Sequence, residues 1–234
     1  RIGIERKWKG VSRRMHAMTW LKNPSGVSFK PVNILSGDDL YLKREVLHGI
    51  VRLALEGDDD ASSIRRIEGN QANLADVLDE LRTLPFFSKR RVVAIDEADP
   101  FITKNRKELE AYVEHASSTG VLILLVKSWP SNTKLAKMVE KHGIEVSCST
   151  PKEGELASWL VALARDRYQC TLSPDGARLL VELVGAEPGI LASEVEKLSV
   201  YVGTVAKITR DDVAKMVEAG RIETIWKALD AATT

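Results

Sequence analysis

Val121-Leu122-Ile123-Leu124-Leu125-Val126 is an almost unbroken apolar run in a chain whose other hydrophobic segments alternate with polar residues. Six consecutive aliphatic side chains point to both faces of a strand, so both faces must be covered. That condition is met in a parallel sheet sandwiched between helices. Outward from this run the chain supplies the partners. Val92 to Ile95 reads as a second buried strand, Val32 to Leu35 as a third, and Ile64 to Ile67 and Ile144 to Ser147 as two shorter ones. Between them lie segments of helical period: Leu40 to Leu55, Asn73 to Leu81 with Leu74, Val77, Leu78 and Leu81 on one stripe, Lys104 to His115, and Thr133 to His142 before Gly143. Strands alternating with helices of this length predict an α/β fold with a parallel sheet over residues 31–149.

At Thr150-Pro151-Lys152-Glu153 the pattern changes. A threonine, a proline and a glutamate in this order predict a capped helix start at Thr150. Helical stripes then follow without strand signals. Leu156, Trp159, Leu160 and Leu163 mark the first helix, Leu179, Leu180 and Leu183 the second after Ser173-Pro174, and Leu191, Val195, Leu198 and Val202 the third. Thr209 with Asp212 predicts the cap of a fourth. Residues 150–218 are therefore expected to be a small helical bundle. The segment from Ile222 to Ala232 starts another helix, and the chain is expected to continue beyond Thr234.

Of 234 residues, 34 are Lys or Arg and 33 Asp or Glu, yet the near balance conceals an asymmetry. Residues 1–30 carry net +7 and the remainder net −6. This basic opening, with Trp8, Trp20 and Phe29 interleaved, lacks periodicity and a long apolar run, so it is expected to be a flexible leader, with Met15 and Met18 as alternative natural starts. Phosphate contact by the leader would make the chain a plain DNA-binding module, a reading that rests on those charges alone. Cys148 and Cys170 match no metal-ligand spacing and are expected to be reduced thiols of a cytoplasmic protein. His16, His48, His115 and His142 are far apart in sequence and are read as ordinary surface or helix-face residues. No segment is long and apolar enough to span a membrane as a helix.

Two motifs bear on chemistry. A phosphate-binding loop would follow the first strand, but that place reads Ser36-Gly37-Asp38-Asp39-Leu40-Tyr41-Leu42-Lys43, and no Gly-Lys-Ser/Thr occurs in the chain. Two aspartates at the helix N-terminus satisfy its dipole and repel a triphosphate. Ile95-Asp96-Glu97-Ala98-Asp99 spells an acidic box of the kind that holds magnesium in helicases. Without a phosphate cradle it is read as a solvated turn, the alternative being a nucleotide-dependent AAA+ or helicase-type enzyme that uses residues 96–99. No cofactor, metal or catalytic residue is predicted.

The remaining motif is Leu84-Pro85-Phe86-Phe87-Ser88-Lys89-Arg90-Arg91. Pro85 bars continuation of the preceding helix and drives Leu84 toward an extended conformation, so Leu84, Phe86 and Phe87 lie on a short connection. Taken alone, the connection leaves open whether the rings face outward or fold under the sheet.

Taken in order, Leu35 to Glu45, Leu81 to Val93, Thr133 to Lys137, Pro151 to Trp159 and Glu194 to Leu198 resemble the delta subunit of the bacterial DNA polymerase III clamp loader. The resemblance runs from Pro31 to the C-terminus, and Trp226 to Ala232 resembles the start of that family's all-helical collar domain, here residues 219–234. It implies an AAA+ architecture without a phosphate-binding loop, a lid-like helical domain, and no nucleotide hydrolysis by this subunit. It also implies that Leu84, Pro85, Phe86 and Phe87 grip the sliding clamp and open it for loading onto primed DNA, with Lys89 and Arg90 as rim charges. Other loader subunits would join through the collar, and the chain would act within a DNA polymerase holoenzyme. The basic leader is not part of the family pattern.

Overall fold

The computed structural model describes residues 14–26, 30–56, 64–85, 89–203 and 207–217. The chain divides between Ser149 and Thr150 into two compact units.

The first unit is built on a six-stranded sheet in the order β1-β6-β2-β5-β4-β3, with every pairing parallel. In chain order it comprises β1 (Arg14–His16), α1 (Ala17–Lys22), β2 (Val32–Ser36), α2 (Leu40–Ala54), β3 (Ile64–Glu68), α3 (Leu74–Arg82), β4 (Arg91–Asp96), α4 (Asp99–Lys104), α5 (Arg106–Glu114), β5 (Gly120–Val126), α6 (Lys134–His142) and β6 (Ile144–Ser147). All seven residues of β5 are buried, as its composition requires. Alternate residues Leu122, Leu124 and Val126 of β5 join Val93 and Ile95 of β4 and Val32 and Ile34 of β2 in one core, closed by Leu81, Phe101, Leu109 and Leu135 from α3 to α6. On the other side, α2 packs against β2, β4 and β5 through a stripe of buried Leu42, Val46, Leu47 and Ile50.

Two local findings depart from the sequence reading. The stretch expected to be a leader is, over residues 14–26, part of the fold: β1 pairs with β6, and α1 buries Ala17, Met18 and Trp20. Its few apolar residues escape a periodicity search because they are divided between a three-residue strand and a six-residue helix. Each piece is held from outside. His16 accepts the Met18 amide on Nδ1 at 3.2 Å and meets the Ser149 carbonyl with Nε2 at 2.9 Å. The Arg14 guanidinium lies 3.2 Å from the buried Glu145 carboxylate, whose pKa burial pushes up against the opposing pull of Arg14 and Ser36. The Trp20 ring rests on Gly49, where a Cβ would come within 2.5 Å of it. Second, the single helix expected over 104–115 is two, interrupted at Asn105, and the first begins at Asp99 with a proline in its first turn.

The second unit contains α7 (Glu153–Tyr168), β7 (Thr171–Leu172), α8 (Pro174–Val184), α9 (Pro188–Val202) and β8 (Lys207–Ile208), and residues 210–217 are helical. Leu156, Trp159 and Leu160 of α7 are buried, as are Leu180 of α8 and Leu191, Val195 and Leu198 of α9. Thr209 and Asp212 exchange hydrogen bonds as a reciprocal cap, and Ser173 caps α8 through the Gly176 amide. The unit is not wholly helical, because β7 and β8 form a parallel pair. Nor does Thr150 cap α7: the helix starts at Glu153, and its N-cap residue is Lys152, which makes no side-chain capping bond.

Removing the Trp20 ring should uncover Gly49 and the face of α2 behind it. Trp20→Ala is expected to cost about 3–5 kcal/mol in denaturant unfolding, the range for a large buried ring. A loss below about 1 kcal/mol would mean that α1 contributes little to the unit.

Candidate functional site

Two regions at opposite ends of the sheet bear on function. At the carboxyl end, only Gly37, Asp38 and Asp39 separate β2 from α2. Gly37 has φ +128°, and a Cβ there would lie 2.5 Å from the Cys148 carbonyl carbon and oxygen, so only glycine fits. The Gly37 amide donates to the Val126 carbonyl at 3.2 Å and the Asp39 amide to the Cys148 carbonyl at 3.0 Å. The Asp39 side chain, as helix cap, accepts the Leu42 amide at 2.8 Å. The donors that would cradle a phosphate in a longer, glycine-rich loop are thus bonded within the protein.

The acidic box is also engaged, which corrects its reading as a solvated turn. Asp96 accepts a two-pronged contact from Arg66 on the neighbouring strand, Nε to Oδ2 and, at 2.9 Å, Nη2 to Oδ1. The Asp96 carboxylate raises the Arg66 pKa further above its ordinary value. The Ala98 amide donates to the Leu125 carbonyl at 2.8 Å, and Asp99 accepts the Lys127 amide at 3.1 Å. Glu97 stands between them at φ +45°. These bonds fasten the end of β4 to β3 and β5. Among the described residues, no cluster of three or more His, Cys, Asp and Glu could hold a metal.

Between the turn and the box lies a cavity of ≈870 Å³ whose walls include Gly37, Asp38, Lys43, Arg66, Asp96 and Leu125. It occupies the carboxyl ends of the parallel strands, where α/β sheets receive ligands.

Leu84 and Pro85 of the sequence motif lie at the other end. Helix α3 is pinned by Glu80, which meets Arg91 of β4 and, at 3.7 Å, Arg65 of β3. Its last turn is pressed onto β5: a Cβ on Gly120 would come within 2.3 Å of the Leu81 carbonyl oxygen. Thr83 closes the helix, its amide reaching the Asp79 carbonyl at 2.9 Å and its hydroxyl at 2.7 Å, and turns extended at ψ 130°. Three residues separate two opposite environments, since Leu81 is fully buried while Leu84 is 72% exposed. Pro85 is half-buried; Phe86 and Phe87 lie outside the described residues.

The returning chain is anchored too. Lys89 pairs with Glu56, and Arg90 donates to the Ala54 carbonyl at the end of α2 at 3.0 Å. The two charges expected at a binding rim therefore tie the connection to α2. Sequence alone gave no sign of this or of the Arg66–Asp96 pair, because both depend on which elements become neighbours.

A family model described as DNA polymerase III, delta subunit, matches residues 34–149, from β2 to the end of the first unit. Over these residues the chain is similar to the DNA polymerase III delta-subunit family. A curated relative, the DNA polymerase III subunit delta of Bacillus subtilis (strain 168), is 24% identical over 210 residues, covering 86% of this chain and 60% of the relative. The structure of a Bacillus subtilis DNA clamp loader delta protein superposes with a TM-score of 0.72 at 24% identity, over 86% of this chain and 62% of that one. The fold is thereby shared with that clamp loader delta protein. The chain spans about three fifths of the length of either relative.

The Gly120 approach positions Leu84. Gly120→Ala is expected to destabilise the first unit by about 1–3 kcal/mol, because the obstructing atom is backbone and cannot rotate away. Denaturant unfolding measures this, and an unchanged midpoint would show that α3 does not rest on Gly120.

Proposed function

We propose that this chain is the clamp-gripping part of a clamp-loader delta subunit, which binds the sliding clamp through Leu84, Pro85, Phe86 and Phe87 and opens it for loading onto primed DNA. The observation that carries the reading is the exposure of Leu84 at 72%, three residues beyond the fully buried Leu81, on a connection fastened at both ends. An apolar side chain held in water by a rigid support gains by entering a pocket, and little ordering cost remains to be met. Leu84 and the two phenylalanines would each contribute about 1.5–3 kcal/mol of burial. Pro85 limits the conformations available before binding.

In this reading the first unit is a wedge. A contact that fits the opened clamp better than the closed ring shifts the clamp's own equilibrium by the difference in binding energy, so no nucleotide need be consumed here. Two features support a subunit that does not hydrolyse ATP: the amides of the Gly37–Asp39 turn serve internal carbonyls, and Asp96 is held by Arg66. Hydrolysis would then belong to partner subunits, joined through the collar domain that residues 219–234, which lie outside the described residues, would begin. Residues 150–218 would be the lid-like domain of the same module.

Binding of the chain to its own organism's sliding clamp, measured without nucleotide, tests the proposal. Leu84→Ala/Phe86→Ala/Phe87→Ala should weaken binding by about two orders of magnitude or more while leaving the circular-dichroism spectrum and melting temperature unchanged. Equal binding by the triple variant would overturn the assignment of the anchor; no binding by the folded wild type would overturn the function. Addition of ATP should leave the affinity unaltered.

A further inference from the structure

The cavity at the carboxyl ends of the strands contains a charge that clamp binding does not employ. Lys43 of α2 lines it with only 7% of its surface exposed, and among the described residues its ammonium group makes no hydrogen bond or ion pair. An ammonium group taken from water without a counter-charge is unfavourable, and an anion that reached it would relieve that penalty. Burial accordingly lowers the Lys43 pKa, opposed by the distant fields of Cys148, Asp99 and Asp38 and aided by Lys127. A second cation of the lining, the exposed Arg66, already has Asp96.

The surroundings restrict what the anion can be. Asp38, Glu68 and Glu97 also line the cavity, and none forms an ion pair among the described residues. Three carboxylates against the ammonium groups of Lys43 and of the exposed Lys127 leave this part of the lining negative and disfavour a polyphosphate, and a single negative charge is what Lys43 can neutralise. Ile67, Leu125 and Val126 supply an apolar wall, and Leu40, 77% exposed, stands at the lining. The volume of ≈870 Å³ is that of a small-molecule site.

We propose that this cavity binds a small amphipathic molecule bearing one carboxylate, which pairs with the Lys43 ammonium while its apolar body covers Ile67, Leu125 and Val126. The site is separate from Leu84, which lies at the opposite end of β5.

Butyrate titrated into the ¹⁵N-labelled chain at constant ionic strength provides the test. Saturable amide shifts are expected at Gly37, Lys43, Ile67 and Val126, while inorganic phosphate and ATP leave these amides unmoved. The shifts should vanish in Lys43→Met. That variant removes an unpaired buried charge and is expected to melt at or above the wild-type temperature, so loss of the shifts cannot be ascribed to unfolding. Glu68→Gln/Glu97→Gln, which keeps Lys43 and lowers the opposing charge, should bind butyrate more tightly and begin to bind phosphate. The proposal is overturned if butyrate moves none of these amides, if Lys43→Met responds like wild type, or if wild type binds phosphate as well as butyrate.

Discussion

The complete burial of β5 is the constraint on which the first unit depends. A parallel strand can hide seven successive apolar residues only if both edges are hydrogen-bonded and both faces are covered. Strands β2 and β4 meet the first requirement, and α2 on one side with α3 to α6 on the other meets the second. The same strand then organises both ends of the sheet. At its start, the absence of a side chain on Gly120 admits the last turn of α3 and so delivers Leu84 to the surface. At its end, the Leu125 and Val126 carbonyls receive the amides of Ala98 and Gly37. Seven residues at about 3.3 Å each put roughly 20 Å between the two regions, enough to let them differ in purpose.

At the carboxyl end the decisive fact is economy of donors. An amide that bonds a neighbouring carbonyl cannot also hold a phosphate, and the turn after β2 is too short to offer others in a loop. The contact of Gly37 with the Cys148 backbone makes that closure part of the fold, since lengthening or opening the turn would separate β2 from the segment after β6. The acidic box undergoes a similar conversion. Asp96, placed where a metal-binding carboxylate would stand, joins β4 to β3 through Arg66, and Asp99 joins α4 to the residue after β5. The carboxyl end of the sheet is thus fastened by internal bonds, while the Lys43 ammonium has no side-chain hydrogen bond or ion pair among the described residues.

How much of this could be read from the chain follows from the range of the interactions. Strands and helices announced themselves through Val121 to Val126 and the stripe Leu74, Val77, Leu78 and Leu81, because burial imposes a local period. The missing phosphate loop was equally legible, being an absence in a contiguous motif. Short elements were not: β1 and α1 have too few residues to show a period, and their place comes from β6 and Gly49, distant in sequence. The pair β7–β8 is two residues long on each side, with a helical hairpin between. Thr150-Pro151 carried a plausible capping signal, yet the chain extends through Lys152 before turning helical. Within the candidate anchor, Pro85 and the end of α3 were predictable, whereas the anchoring of Lys89 and Arg90 to α2 required knowing that α2 lies alongside. Lys43 gave no warning, because a lysine in an amphipathic helix is ordinarily on its solvent face.

Amide hydrogen exchange of the intact chain, compared with and without its organism's sliding clamp and in the absence of nucleotide, probes the central claim most directly. If the chain grips the clamp by the end of α3, slowed exchange will be concentrated between Arg82 and Arg91, with the amino-terminal turn of α2 unaffected. Protection confined to other elements, with residues 82–91 exchanging as in the free chain, would contradict the account.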